Sequence, residues 1–261
     1  MKGKVAVVTG STAGIGRSIA LYFASAGAHV AVTGRNKDTA EKLAHEIQNQ
    51  GGTATPFRFD LSDPSGGEAL LDKVIKSCGS LDILVNNAIC GGSDYLPKIQ
   101  LQDMNYDQMQ KGITANITNT LVLIGKAYPY LKQAKGNMLN IGSVVVNRKM
   151  LGIPLLYTII KGAVTQITLS LAAEWACDGI RVNQINPGCV QSDAFKKPGI
   201  SEDHRKSVYD HYQKFHPLGR VGIPDDIGAL AAFMVSDEAA WMTGSVVDMD
   251  GGYTIQGVSS V

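Results

Sequence analysis

Short apolar runs alternate with stretches of helical spacing along most of the chain. Residues 4–9 hold Val5, Val7 and Val8 in one compact run, as a strand buried on both faces of a parallel sheet requires. Ile19, Ala20, Phe23 and Ala24 then recur at the three-and-four spacing of a helix. The alternation continues, with strands expected at residues 28–33, 53–59, 81–85, 136–141, 181–185 and 245–249 and helices at 38–50, 69–75, 107–131, 156–175 and 225–233. Ala40, Leu43, Ala44 and Ile47 form the apolar stripe of the 38–50 helix, and Gly51-Gly52 stops it. This order predicts one α/β domain spanning 1–261. Its fold is a Rossmann-type doubly wound parallel sheet of about seven strands, with helices on both faces and right-handed crossovers. No linker, repeat or low-complexity segment divides it. Residues 191–217 depart from the pattern, being charged, spotted with aromatics and poorly periodic.

Composition narrows the partners. The chain is 44% hydrophobic and 18% charged, with 24 basic against 23 acidic residues. A net charge of +1 gives no reason to expect a nucleic-acid or membrane surface as partner. No apolar run reaches the ~18 residues of a spanning helix, and the first residues lead straight into a strand without a secretory signal. Cys78, Cys90, Cys177 and Cys189 lie far apart with no metal-ligand spacing. They read as reduced thiols of a cytoplasmic protein, and no metal site is expected.

In a doubly wound sheet, ligands bind beyond the carboxyl ends of the strands. Gly10, Asp60, Asn86, Ser143 and Pro187 all follow expected strand ends. Thr9-Gly10-Ser11-Thr12-Ala13-Gly14-Ile15-Gly16 occupies the first strand-to-helix turn. Glycine there lets backbone amides approach a pyrophosphate, and the helix N-terminus favours its charge. Tyr157 and Lys161 stand at i and i+4, so a helix projects both from one face. A nearby ammonium favours phenolate. Bringing a phenol from ~10 to near neutrality takes about 3 pKa units, or about 4 kcal/mol. The pair then makes a general acid/base suited to a carbonyl oxygen, while by spacing alone it reads first as an ordinary surface pair. Upstream, the Ser143 hydroxyl can steady charge on that oxygen.

The Thr-Gly-x3-Gly-x-Gly loop, the Asn86-Asn87-Ala88 turn, Ser143, the Tyr-x3-Lys pair and Pro187-Gly188, in this order, resemble the classical short-chain dehydrogenase/reductase family over nearly the whole chain. The resemblance implies a nicotinamide-dependent oxidoreductase interconverting a carbonyl and a secondary alcohol. It places Gly10, Ser11, Thr12, Gly14, Ile15 and Gly16 at the pyrophosphate, and Asp60 with Leu61 at the adenine. Asn87 and Ala88 also line the cofactor, while Pro187, Gly188 and Val190 meet the nicotinamide carboxamide. Ser192 stands in place of a threonine that reaches phosphate. Tyr157 is implied as general acid/base, Ser143 as the oxygen's partner, Lys161 as partner of tyrosine and ribose, and Asn116, at a helix break, as anchor of a relay water. Residues 191–217 correspond to a substrate lid. Ile89 replaces the family's glycine after Ala88, and Ile160 replaces a small residue before the lysine, where it is expected to reshape the pocket floor.

Gly34 holds the place of the acid that would accept the ribose 2′-hydroxyl of NAD(H), and Arg35 follows at once. NADP(H) is therefore the expected cofactor and NAD(H) the alternative. Ala13 lacks the basic side chain that some NADP-dependent relatives carry there. The long helices 107–131 and 156–175 hold more apolar residues than one stripe needs, and the resemblance implies their pairing in a homotetramer or homodimer. Two other readings stand. Residues 140–145 resemble those of the 3-oxoacyl-acyl-carrier-protein reductases, with Lys196, Lys197, Arg205 and Lys206 as a patch for an acidic carrier. A non-catalytic dinucleotide-binding regulator would share the fold.

Overall fold

The structure is a computed structural model that describes residues 1–148, 152–191 and 201–255. Seven parallel strands form one sheet in the order β3-β2-β1-β4-β5-β6-β7. The strands are β1 Val5–Val8, β2 His29–Gly34, β3 Thr53–Arg58, β4 Ile83–Asn86, β5 Asn137–Ile141, β6 Arg181–Pro187 and β7 Val246–Met249. The helices are α1 Gly14–Ser25, α2 Lys37–Asn49, α3 Gly66–Cys78, α4 Tyr106–Ile113, α5 Asn119–Ala134, α6 Leu155–Trp175, α7 Glu202–Gln213 and α8 Pro224–Val235. Strand order reverses between β1 and β4, which opens a crevice at the carboxyl edge of the sheet.

Both faces of the sheet are buried. Ala6 and Val8 of β1 point into a core shared with Ile19 and Phe23 of α1 and with Ile227 of α8. Val5 and Val7 point the other way, onto Leu70 and Leu71 of α3, Leu123 and Leu131 of α5 and Trp175 of α6. A strand with a core on either side has no solvent face to alternate with, hence the unbroken apolar run. α1 and α8 lie so close that a Cβ on Gly228 would stand 2.7 Å from the Tyr22 ring. Across the same seam Ser18 Oγ donates to Asp225 at 2.6 Å.

Two elements differ from the expectation. The helix expected at 107–131 is two helices joined by a π-helical turn, Thr114–Thr118, which contains Asn116. Part of the aperiodic 191–217 segment is helix α7, a strongly polar helix without the apolar stripe that marks the others. Leu155–Asp178 has the length and hydropathy to cross a membrane. In this fold it packs on β6, with Lys161 and Thr168 buried in the chain's interior.

Arg181 closes the end of α8 remote from the crevice. Its guanidinium donates to the carbonyls of Met234 and Ser236 at the helix end and of Met242 beyond it, at 2.9–3.0 Å, satisfying acceptors that would otherwise be orphaned. Burial lowers its pKa, a cost these bonds offset. Arg181→Met is expected to reduce unfolding free energy by about 3 kcal/mol, the scale of charge-assisted bonds left unmade. Urea denaturation would check this, and a loss under about 1 kcal/mol would remove Arg181 from the helix-end account.

Candidate active site

The glycine-rich turn is built on hydrogen bonds to the neighbouring strands. Gly10 has φ +65° and Gly14 φ +53°, conformations that favour glycine. The Thr33 hydroxyl accepts from Gly10 N at 3.0 Å and donates to Val8 O at 2.9 Å. Ser11 Oγ accepts from Thr33 N at 2.8 Å. On the other flank Asn87 Nδ2 donates to Thr9 O and Gly10 O, and Thr9 Oγ1 accepts from the amides of Asn87 and Ala88. A Cβ at Gly16 would stand 2.5 Å from Asn87 Nδ2, so only glycine admits this close stitching. α1 starts with no side-chain cap and no acid in its first turn, leaving its positive end for an anion. These residues therefore fit a dinucleotide pyrophosphate.

At the adenosine end, Asp60 accepts from Ser62 N at 3.0 Å and Ser62 Oγ at 2.7 Å. Burial alone would raise its pKa, but the Ser62 bonds and the charges of Arg35 and Arg58 hold it below the usual value. Leu61 is buried, and its carbonyl accepts from Asn119 Nδ2 at 2.8 Å. Gly34 is walled by Thr12, and a Cβ at 34 would stand 2.5 Å from Thr12 Cγ2. Arg35 is exposed just beyond. Arg58, absent from the sequence reading, pairs in register with Gly34, so the two residues share a sheet face.

The catalytic candidates meet where β5 leads into α6. A cleft of about 400 Å³ is lined by Ser143, Tyr157 and Lys161 together with Ile15, Asn87, Pro187, Gly188 and Val190. Lys161 is 7% exposed and donates to Ile141 O at 2.7 Å. Its ammonium lies 5.7 Å from the centre of the Tyr157 ring. Burial pushes its pKa down to about 8. Burial also pushes the Tyr157 phenol up, opposed by a hydrogen bond with Ser143. The sequence reading expected a phenol lowered by Lys161. In this arrangement the ammonium is turned to Ile141 O, and desolvation dominates.

Asn116 is set apart from the main cleft. Its side chain is consumed by backbone, accepting from Cys90 N at 2.7 Å and donating to Cys90 O and Gly112 O. It borders a cavity of about 20 Å³ with Lys161, Asn86, Asn140 and Ile160, a space of single-water size. Ile160 thus shapes this small cavity and not the floor of the main cleft, whereas Ile89 lines both. Ser192 lies outside the described residues, as do Lys196 and Lys197. Cys189 and Ile141 also line the cleft, and no local signal had singled them out.

The family model described as Enoyl-(Acyl carrier protein) reductase matches residues 10–254. Glucose 1-dehydrogenase 2 of Bacillus subtilis (strain 168) is 33% identical over 260 residues, covering 98% of this chain and 96% of the relative. The chain belongs to the short-chain dehydrogenase/reductase family. A short-chain dehydrogenase/reductase of unknown function from Caenorhabditis elegans, solved with cofactor, superposes with TM-score 0.89 at 28% identity, covering 97% and 96% of the two chains. A 7α-hydroxysteroid dehydrogenase complexed with NADH and 7-oxo glycochenodeoxycholic acid has TM-score 0.84 at 33% identity, covering 96% and 94%. The protein is accordingly an oxidoreductase that uses a nicotinamide dinucleotide and acts on a small molecule.

The buried lysine generates a stability prediction with a definite sign. Its folded pKa is depressed, so below pH 8 a charged ammonium is buried at full cost. As pH rises from 8 toward the ordinary 10.5, the folded form loses its proton before the unfolded chain does, and stability from this group rises. Lys161→Met removes a cost of about 3 kcal/mol and forfeits about 1 kcal/mol for the Ile141 carbonyl. The variant is expected to be the more stable at pH 7, with the advantage shrinking by pH 10. Denaturant melts at both pH values check this, and a variant less stable than wild type at pH 7 overturns it.

Proposed function

We propose that this short-chain dehydrogenase/reductase interconverts a ketone and a secondary alcohol with NADP(H), using Tyr157 as general acid/base. The observation that carries the reading is the convergence of Ser143, Tyr157 and Lys161 on the cleft lined by Asn87 and Pro187-Gly188-Val190. The cofactor, when bound, supplies or accepts the hydride. In the direction of reduction, Tyr157 gives its proton to the carbonyl oxygen and Ser143 holds that oxygen. A phenol whose pKa is raised by burial is protonated at neutral pH, as an acid must be. Lys161 holds the ribose and the phenolate formed. Asn116 lies beside the single-water cavity that reaches Lys161, a route for returning the proton.

Away from these groups the described wall is mostly aliphatic, formed by Ile89, Leu96, Val144, Val145, Ile153 and Pro154, with Cys189 and the Tyr212 ring beside them. That wall suits a carbonyl with apolar flanks, as in the 7-oxo bile acid held by the hydroxysteroid relative. Tyr157→Phe is expected to lower kcat on a ketone panel by about 10²–10⁴ while leaving NADPH affinity unchanged. Near-normal turnover would remove Tyr157 as the acid.

The cofactor preference rests on Gly34, Arg35 and Thr12. Thr12 Cγ2 crowds the space a 34 side chain needs, so an NAD-selecting acid there would have to displace it. Arg35 and Arg58 supply the positive charge that a 2′-phosphate needs. Fluorescence titration is expected to give tighter binding of NADPH than of NADH. The double variant Gly34→Asp/Arg35→Ile should bind both poorly, and adding Thr12→Ala should produce an NADH-preferring protein. Wild type that binds NADH more tightly overturns the assignment.

Exposed Leu121 and Val122 on α5 and Leu155, Ile159 and Leu169 on α6 leave an apolar surface that supports assembly through these helices. A homotetramer is the expected form, with a homodimer as the smaller alternative. Light scattering that returns a monomer at micromolar concentration would refute this. The four free cysteines fit a reducing, cytoplasmic setting.

A further inference from the structure

Behind the cleft, a line of hydrogen-bonded side chains crosses the sheet and takes no part in the reaction just described. Asn86 donates to Asn140 Oδ1 at 2.8 Å, and Asn140 donates to Thr168 Oγ1 at 2.8 Å. The Thr168 hydroxyl stands 2.9 Å from Gln184 Oε1. Gln184 donates to Asn186 Oδ1 at 2.6 Å, and Asn186 donates to Asp248 Oδ1 at 2.9 Å. Each amide hands its donor toward the Asp248 carboxylate, so the line has one direction and its dipoles reinforce one another. Asn140, Thr168, Gln184 and Asn186 are at most 1% exposed. Burying four polar side chains costs free energy unless their bonds are made, so the arrangement calls for a function.

Three more bonds connect this line to the loop that carries Ser143. Asn186 Oδ1 also accepts the backbone N–H of Ser143 at 3.1 Å. Asp248 also accepts from Asn147 Nδ2, at 2.9 and 2.7 Å to its two oxygens. The loop from Ser143 to Asn147 carries the serine and two wall residues, Val144 and Val145. It is therefore tied at both ends to one carboxylate on edge strand β7. Within the loop itself the Ser143 hydroxyl is held only weakly, its Oγ accepting from Val145 N at 3.4 Å, and its other bond goes to Tyr157 across the cleft. A Cβ on Gly142 would overlap Asn186 Oδ1, so glycine before the serine is what lets the amide reach that close.

We propose that Asn186 and Asp248 are positioning residues of the reaction, holding the Ser143 loop so that its hydroxyl meets the substrate oxygen beside Tyr157. This rests on the carbonyl–alcohol reading above. The charge on Asp248 orients Asn186, Asn186 orients the Ser143 amide, and Asn147 fixes the far end of the loop.

Asn147 and Asp248 are exposed, so Asn147→Ala and Asp248→Ala test the proposal in proteins that fold; Asn186→Ala, at a buried position, is read alongside them. The measurements are kcat and KM for ketone reduction, the NADPH dissociation constant, and hydrogen exchange of the 142–148 peptide without cofactor. Asp248→Ala is expected to lower kcat by about 10–100-fold, the scale of a displaced catalytic group. NADPH affinity should stay within about twofold while the 142–148 amides exchange faster. Asp248→Asn, which keeps one acceptor, should recover part of the loss. In a Ser143→Ala background, Asp248→Ala should cost less than about threefold, since the loop then has no hydroxyl to misplace. Equal losses in both backgrounds would show a general structural role and overturn the proposal, as would wild-type kcat with unchanged exchange in Asp248→Ala. If wild type binds NADPH yet reduces no ketone, the carbonyl reading fails. The exchange measurement would then still decide whether the line holds the loop.

Discussion

The site depends on one buried charge. Lys161 sits in a helix packed on the sheet, and its ammonium is tied to the last carbonyl of β5. That bond ties α6 to the carboxyl edge of the sheet, and with it the register of Tyr157 against Ser143. An ammonium held this deep is costly, and nothing in the packing alone requires it. The aliphatic residues around it, Ile141 and Ile160 among them, set its low pKa by excluding water. A lysine of this kind is a local loss of stability, which the proposed function accounts for as one retained for chemistry.

The sheet makes room for that loss by being over-determined elsewhere. Threonine hydroxyls at Thr9 and Thr33 each bridge two strand ends, and Asn87 links the first turn to β4. The carboxyl edge is thus fastened by side chains where regular ladder bonds end. Rigid turns of this kind can present backbone amides to a ligand with little ordering cost at binding.

Much of this was legible in the chain. The first strand was readable because a strand with cores on both faces favours an unbroken apolar run, and β1 with Val5, Ala6, Val7 and Val8 is such a strand. Ser143, Tyr157 and Lys161 were readable because the order of motifs around them resembles the family; spacing adds that the tyrosine and lysine share one helix face, which an ordinary surface pair does too. The π-helical turn at Thr114–Thr118 falls at the helix break that the resemblance implies for Asn116, but periodicity does not show it, since one extra residue in a turn leaves the apolar residues on either side in helical spacing. Helix α7 escaped because its polar sequence has no stripe for periodicity to detect. The fit of Thr12 against Gly34 and the bonds of Asn186 join residues brought together by the fold. No local pattern announces them. The direction of the Tyr157 pKa shift is set by its burial in the fold, opposed by the Ser143 bond, and residue spacing gives neither.

The π-helical turn has a consequence for the two helices it joins. One residue of an α-helix is worth about 100° of rotation, so a single extra residue changes the phase between the segments before and after it. α4 is thereby free to face α6, where Gly112 sits against Leu156, while α5 turns its own stripe toward α3, where Leu123 meets Gly67. A straight helix would present one continuous stripe to a single neighbour. The wide turn works as a phase shifter, dividing one long rod into two gears that mesh with different partners, and the Asn116 amide sits on the tooth between them.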